Sequence, residues 1–307
     1  MLMRLTAVGF LSLTACGPPE WVRANAGAEV GFSGVHGSGP NDVWAVGELG
    51  TIAHYDGTGW KVATPITSVT LRAVAAVSTT DAWAFGDSGT ALHWDGKAWA
   101  RVDMGTSNDI ISAVALAAND VWALPKDQRY LWRWNGTVFA KVDATTRNDG
   151  YGKCLGGNSA NNLWLMPGST SHAYLVTPSG LAEIALDISG SFDCIGISAQ
   201  SLDDAWFLAD DKVLHFDGRL FRPSSPPQEL LSSFYARAIF ASARNKAWVV
   251  GSGGGIYRVE GVTWTVSSPF AYSTPHYNAV WGAHVDDLWS VGTLGVVSHH
   301  STPRPAP

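Results

Sequence analysis

Histidine and aspartate are residue types that can hold a metal ion or move a proton, and both recur along this chain. Four histidines stand at equivalent positions of successive segments: His54, His93, His215 and His299. Five aspartates do the same: Asp42, Asp81, Asp120, Asp204 and Asp287. Because each recurs once per segment, its role depends on the repeat that carries it.

The other acidic residues give little support for catalysis. Glu183, Asp187 and Glu229 are among those left when the recurring aspartates are set aside, and they form no recognisable acid and base pair. No serine, cysteine or glycine-rich nucleotide motif stands out. We therefore predict that the protein is not an enzyme and uses no cofactor and no metal.

One tryptophan marks each repeat, first within NDVWAVG at 41–47. The seven recur at nearly even intervals: Trp44, Trp83, Trp122, Trp164, Trp206, Trp248 and Trp289. A period of roughly 40 residues, with short apolar runs and glycine-rich turns, is typical of four-stranded β-propeller blades. We predict an all-β, seven-bladed β-propeller in which these tryptophans hold adjacent sheets together.

A ring of blades also explains the recurring polar residues. Equivalent positions lie far apart around a ring, so the four histidines cannot converge on one metal ion. We interpret them as making structural hydrogen bonds, and the aspartates as closing tight turns. His299 and His300 could bind a metal adventitiously, but the spacing marks no third ligand.

Four strands are predicted in each repeat, with the first innermost and the tryptophan strand second. Alternation places Trp44 and Val46 on one face of a half-buried strand. Glycine supplies the positive φ of the hairpin between the third and fourth strands: Gly57, Gly96, Gly136, Gly218 and Gly261. The last repeat stops after its third strand. Because Trp21 precedes Trp44 by the same interval as Trp60 precedes Trp83, we predict that the N-terminal segment supplies the missing outer strand and closes the ring.

Residues 1–15 have the features of a signal peptide, with Arg4 before a short apolar run. The end of this segment, Leu-Thr-Ala before Cys16, resembles the lipobox of bacterial lipoproteins, which implies that Cys16 carries lipid. Residues 16–20 would then be a lipidated anchor and short linker, and 21–307 a single propeller domain. We expect a lipid-anchored protein of the bacterial cell envelope, at the outer membrane or cell surface in a Gram-negative organism, and otherwise a secreted one.

Charge excludes some partners. The net charge is −6 and only 15% of residues are charged, so no basic surface is predicted for nucleic acid or anionic membranes. Membrane contact is expected through the lipid anchor only, and we expect a monomer.

The repeats resemble secreted bacterial propellers of the WD40/YVTN/BNR-like class. HWDGKAW at 93–99 is similar to a shortened Asp-box, with histidine in place of serine and one residue fewer before the aromatic. STTDAWAFGDSGTALHWDG at 78–96 has a weaker resemblance to tectonin-type lectin propellers. These resemblances imply the fold of nearly the whole mature chain but not an activity, because propellers host unrelated functions.

Two cysteines beyond Cys16 raise the question of a disulfide. Cys154 and Cys194 are even in number and expected in an oxidising compartment, which favours a bond. Aligning the first strands, however, places both at one register in adjacent blades, with Ala73, Ala113, Ala238 and Ala279. Side chains at ring-equivalent positions follow one another and do not face each other. We therefore expect two buried thiols, with a disulfide as the alternative.

One register predicts a ligand site near a mouth of the central channel. The residues before those small positions are polar in every blade: Ser33, Arg72, Ser112, Lys153, Asp193, Arg237 and Asn278. Nearby loops contribute Tyr151, Tyr235 and Tyr277. We expect the ligand, a sugar or an acidic protein segment, to contact Arg72, Lys153, Asp193, Arg237, Asn278 and these three tyrosines. The alternative is that a wet channel mouth simply needs polar residues.

Together these observations predict a non-catalytic binding or scaffold module, whose partner is an unknown protein or glycan at the cell surface. A tectonin-like lectin with sugars bound at several blades is the first alternative. A glycan-processing hydrolase is the second.

Overall fold

The computed structural model describes residues 20–144, 150–168, 171–177, 180–186, 192–209, 212–227, 234–267 and 275–301. These residues form seven antiparallel sheets of four strands each, which confirms the seven-bladed β-propeller. Cys16, Asp187 and Glu229 lie outside the described residues, as do the predicted signal peptide and anchor. No helix in the described residues is long and apolar enough to cross a membrane.

The strands follow the chain in blade order. Blades 1 and 2 contain β2 (Phe32–Gly39), β3 (Asp42–Gly47), β4 (Ile52–Tyr55), β5 (Trp60–Val62), β6 (Leu71–Ser78), β7 (Asp81–Gly86), β8 (Ala91–Trp94) and β9 (Trp99–Val102). Blades 3 and 4 contain β10 (Ile110–Ala117), β11 (Asp120–Pro125), β12 (Tyr130–Trp134), β13 (Phe139–Asp143), β14 (Gly152–Ser159), β15 (Asn162–Pro167), β16 (His172–Thr177) and β17 (Gly180–Ala185). Blades 5 and 6 contain β18 (Cys194–Ser201), β19 (Asp204–Ala209), β20 (Lys212–Phe216), β21 (Phe221–Ser224), β22 (Ala236–Ala243), β23 (Lys246–Gly251), β24 (Ile256–Glu260) and β25 (Thr263–Val266). Blade 7 contains β26 (Tyr277–His284), β27 (Asp287–Gly292), β28 (Val296–Ser301) and β1 (Glu20–Asn25).

The N-terminal strand closes the ring, as predicted. β1 pairs antiparallel with β28, and Trp21 lies opposite His300. The Trp21 side chain is buried and its ring contacts Trp248 of blade 6 edge-on at 5.7 Å between centroids. The last blade is thus built from both ends of the described chain.

The core lies between the blades. Each of seven clusters of buried side chains is shared by two neighbouring blades. Trp44 shows the arrangement, because it contacts Trp94 and Trp99 of blade 2 at centroid distances of 5.3 and 5.2 Å. All seven repeated tryptophans are buried. They join adjacent sheets, as predicted.

The tryptophan strands are not half-buried, which corrects the prediction from alternation. Every residue of β3 is buried. Trp44 and Val46 lie in the cluster shared with blade 2, whereas Val43 and Ala45 lie in the cluster shared with blade 7. A blade in a ring has a neighbouring blade on each face, so both faces of its second strand are buried.

Cys154 and Cys194 form a disulfide, so the expectation of two free thiols was wrong. Their Cα atoms are 5.9 Å apart. Counted back from the repeated tryptophan of its own blade, Cys194 lies further from Trp206 than Cys154 lies from Trp164. The cysteines therefore differ in register and meet diagonally across the first strands of blades 4 and 5.

Candidate functional site

The first strands of all seven blades surround a central channel of about 700 Å³. Small residues such as Ala113 and Gly156 line much of it, together with the larger side chains of Trp281, Phe240 and His36. We call the end where these strands begin the mouth face. It also carries the turns between the second and third strands. The other end, the hairpin face, carries the hairpins between the third and fourth strands.

The repeated histidines make the structural hydrogen bonds predicted for them. Nε2 of each lies 2.7 to 3.0 Å from the carboxylate of its own blade's turn aspartate, in the pairs His54–Asp42, His93–Asp81, His215–Asp204 and His299–Asp287. Each imidazole also stacks on the blade's tryptophan at centroid distances of 3.8 to 4.3 Å. In blade 3, Arg133 replaces histidine and its Nε donates to Asp120 at 2.7 Å.

The pKa of Asp42 shows how this pairing stabilises a carboxylate. Burial acts to raise the pKa, but hydrogen bonds from His54 and Ser38 and the charge on His54 outweigh burial and hold the pKa below its usual value. Asp56 and Asp217 also have lowered pKa values. The main causes are a hydrogen bond from Lys61 to Asp56 and one from the Leu220 backbone N–H to Asp217. All three carboxylates stabilise turns or hairpins of their own blades.

Four of the predicted ligand residues lie at the mouth face, at the start of first strands: Arg72, Lys153, Arg237 and Asn278. Arg72 is paired with Asp87, and Lys153 Nζ lies 3.8 Å from Asp127. Arg237 instead donates to the neutral side chain of Asn278 at 2.7 Å, and Asn278 donates to the Phe32 carbonyl of blade 1 at 2.8 Å. Two of the three cations are thus already paired, so the mouth carries mixed charge.

The register itself is not polar in all seven blades, which corrects the alignment. Arg72 precedes Trp83 by a fixed interval. The residues at the same interval before Trp122 of blade 3 and Trp206 of blade 5 are Ile111 and Ile195. Ser112 instead donates to the Leu155 carbonyl of the next blade at 2.9 Å. Asp193 is exposed but precedes β18, ahead of the register.

Tyr277 is buried in this structure, whereas the other two predicted tyrosines are exposed. Tyr277 is 1% exposed and its hydroxyl bonds to Ser298 at 2.5 Å. Burial, the largest influence, raises its pKa. Tyr151 and Tyr235 are 47% and 71% exposed at the mouth face.

Sequence reasoning missed two leucines at the tips of mouth-face turns. Leu49 and Leu294 have φ values of 55° and 58° and are 62% and 74% exposed. The equivalent turn residues of other blades are Ser88, Asp127 and Gly253, also at positive φ. The motifs GELGT and GTLGV contain the signal, since leucine stands where GDSGT and GSGGG have a small residue.

No protein-family model matches this chain, and no curated protein matches its sequence. Solved WD40/YVTN-type propellers do match its structure. Ycf48 bound to D1 peptide matches at 16% identity and a TM-score of 0.72, over 92% of this chain and 97% of Ycf48. A catalytically inactive virginiamycin B lyase from Staphylococcus aureus with quinupristin matches at 14% and 0.77, over 92% and 99%. The WD40 propeller domain of Doa1 matches at 10% and 0.71, over 92% and 98%. At these identities the likeness shows the fold alone.

Proposed function

We propose that this propeller is a non-catalytic binding module that holds a segment of a partner protein on its mouth face. The observation that carries the proposal is the pair of exposed leucines at turn tips, Leu49 and Leu294. A residue other than glycine in the left-handed region costs on the order of 1 to 3 kcal/mol, and leucine has no polar group to offset that cost by local hydrogen bonding. The fold does not need leucine there, because Ser88 forms the same turn in blade 2.

The two leucines belong to one continuous part of the mouth face. They stand on blades 7 and 1, which are neighbours in the ring. Gly295, beside Leu294, approaches the Ala28 carbonyl in the loop that leads to blade 1. The backbone N–H of Glu48, beside Leu49, donates to the Gly31 carbonyl of that same loop.

Other exposed side chains extend this apolar surface. Ile66 is 50% exposed in the loop entering blade 2, and Tyr235 is 71% exposed in the loop entering blade 6. Apolar anchors with a tyrosine and a rim of paired charges are typical of protein interfaces. Ycf48, a propeller of the same fold, binds a peptide, which supports a protein segment as the ligand.

A lipid on Cys16 would orient the propeller so that its mouth face points away from the membrane and toward the partner. Glu20 begins β1 opposite Ser301 at the hairpin face, and Asn25 ends it opposite Val296 at the mouth face. Four residues reach at most about 14 Å, so a membrane anchor at Cys16 would lie close to the hairpin face. We propose that the protein is held at a bacterial cell envelope in this orientation, with the mouth face pointing away from the membrane.

Site-specific photo-cross-linking tests the proposal. A photoreactive residue at Tyr235 should capture a partner protein in cells, and the same residue at Val262 on the hairpin face should not. Val262 is a matched site because it is 70% exposed. The captured protein is then purified and its affinity for the propeller is measured by calorimetry.

Substitution of the turn tips gives the decisive comparison. The Leu49→Ser and Leu294→Ser variant with Tyr235→Ser should bind the partner at least tenfold more weakly, and should fold well because serine forms the equivalent turn of blade 2. The control variant, Leu220→Ser with Val262→Ser, removes two exposed apolar residues from the hairpin face and should bind like the wild type. Equal affinity in the mouth-face variant would refute the proposal.

A further inference from the structure

Blade 3 has an asparagine where three other blades have an aspartate, in the hairpin between the third and fourth strands. Asn135 follows β12 at a position equivalent to Asp56, Asp95 and Asp217 of blades 1, 2 and 5. Gly136 comes next, and this is the one Asn-Gly pair in the chain. All four residues of the turn, 135–138, are exposed. The pair is therefore accessible to water on the hairpin face.

Three donors hold the side-chain oxygen of Asn135. Oδ1 accepts hydrogen bonds from the backbone N–H of Thr137 at 3.0 Å, from its hydroxyl at 2.8 Å and from the Val138 N–H at 3.0 Å. The first of these closes an Asx turn, which folds the side-chain amide carbon, Cγ, back toward the peptide that joins Asn135 to Gly136. Three donors polarise this carbonyl group, and the same donors can stabilise negative charge that develops on its oxygen.

The two nitrogens beside Cγ are left without partners. Within the part of the chain that the structure describes, neither Nδ2 of Asn135 nor the backbone N–H of Gly136 makes a hydrogen bond. Gly136 has a φ of 97° and no Cβ to hinder an approach of its nitrogen. The turn thus holds the carbonyl oxygen of the side chain and leaves both nitrogens free to react.

We propose that Asn135 undergoes intramolecular deamidation and that its own turn promotes the reaction. The Gly136 nitrogen loses its proton and attacks Cγ, and the charge that develops on Oδ1 is stabilised by the three donors. The bond from Cγ to Nδ2 then breaks and releases ammonia, which leaves a five-membered succinimide ring. Water opens this ring at Cγ to give aspartate, or at the main-chain carbonyl to give isoaspartate. Water is the one reactant that the protein does not supply.

The aspartate product fits the turn, because equivalent turns already hold a carboxylate in the same way. Oδ1 of Asp56 accepts hydrogen bonds from the N–H and the hydroxyl of Thr58 at 3.0 and 2.6 Å. In blade 2 the N–H groups of Ala98 and Lys97 hold the pKa of Asp95 below its usual value. Deamidation to aspartate would therefore give blade 3 the turn of blades 1 and 2 and add one negative charge to the hairpin face. The site is separate from the mouth face, so it does not depend on the proposed protein partner.

Incubation of the full chain at neutral pH, followed by peptide mass spectrometry over time, tests the assignment. Asn135 should be converted at least tenfold faster in the folded protein than in the same chain unfolded in guanidinium chloride. Thr137→Val removes the hydroxyl donor and should slow the conversion at least tenfold, since one donor of an oxyanion hole contributes on the order of 100-fold in enzymes. This variant should fold, because Val262 occupies the equivalent position of blade 6.

Two other blades supply matched controls. Asp56→Asn installs an Asn-Gly pair followed by Thr58, and it should be converted about as fast as Asn135. Asp95→Asn installs the same pair followed by Lys97, which has no hydroxyl, and it should be converted at least tenfold more slowly. Thermal melts show that each variant is folded before its rate is compared.

Three results would overturn the assignment. Slower conversion of Asn135 in the folded protein than in the unfolded chain would show that the turn protects the asparagine. Equal rates for folded Thr137→Val and the wild type would show that the hydroxyl donor has no part in the reaction. Equal rates for the Asp56→Asn and Asp95→Asn variants would show that the Asn-Gly pair alone sets the rate.

Discussion

Loss of the Cys154–Cys194 disulfide should destabilise the propeller by a measurable amount. The bond joins two cysteines whose separation along the chain is 40. In the chain-entropy model, closing a loop of that length stabilises the folded state by about 4 kcal/mol. For a domain of this size roughly 2 °C of melting temperature corresponds to each kcal/mol, so the expected decrease is about 8 °C.

The assay compares one protein in two redox states. A Cys16→Ser background leaves only the two cysteines in question. Unfolding of this background protein is first compared with that of the wild type. Urea unfolding of that protein with and without a reductant, followed by tryptophan fluorescence, then measures the contribution of the bond. Cys154→Ala with Cys194→Ala should reproduce the reduced state, less a smaller effect of lost packing.

Two results would refute this reasoning. Thiol labelling of the denatured, unreduced protein should modify no cysteine in the Cys16→Ser background, and labelling of both would show that the bond is absent. Identical urea midpoints with and without the reductant, after complete reduction is verified by mass spectrometry, would show that the bond exists but does not constrain the unfolded chain.

Two further predictions concern closure and acid stability. Trp21→Ala should destabilise the protein by about 3 to 5 kcal/mol, because it removes a buried aromatic side chain from the closing strand. The control Val22→Ala, at a neighbour that is 63% exposed, should change stability by less than about 0.5 kcal/mol. Equal urea midpoints for the two variants would contradict closure of the ring by this strand. Burial lowers the pKa of His36 to about 4 against the nearby charge of Asp42, and Nδ1 of its ring accepts the Ala76 N–H at 3.1 Å. Below about pH 6.5 the unfolded chain therefore binds a proton at this histidine, whereas the folded chain does not until about pH 4. As the pH is lowered through this range the free energy of unfolding decreases, by roughly 2.5 kcal/mol at pH 4.5. His36→Asn should lack this part of the decrease when urea midpoints are measured between pH 7 and 4.5.

The repeat made most of the architecture predictable. A tryptophan in every unit marked the blades, and the missing outer strand of the last unit matched the segment around Trp21. What failed was local. Alignment by small residues placed Cys194 at the register of Cys154, although counting back from Trp206 would have shown the offset. Alternation suggested a half-buried β3 because the sequence of one blade does not show that neighbours cover both of its faces.

The candidate sites were harder to predict, for a related physical reason. Polar residues at the channel mouth were found from their register, but only the structure shows that Asp87 and Asp127 neutralise Arg72 and Lys153. Leu49 does not stand out in the sequence, because the positive φ that makes leucine energetically unfavourable at this position is visible only in the structure.

Departures from the repeat occur on both faces of the propeller. The four aspartate and histidine pairs share one geometry, so their role is accounted for by the fold. Leu49 and Leu294 depart from the repeat at the mouth face, and Lys246 and Arg258 depart from it toward the hairpin face. Leu49→Ser with Leu294→Ser should therefore weaken partner binding and leave the folded propeller intact, because Ser88 forms the same turn in blade 2. Unfolding of that variant would show instead that the two leucines stabilise the blades.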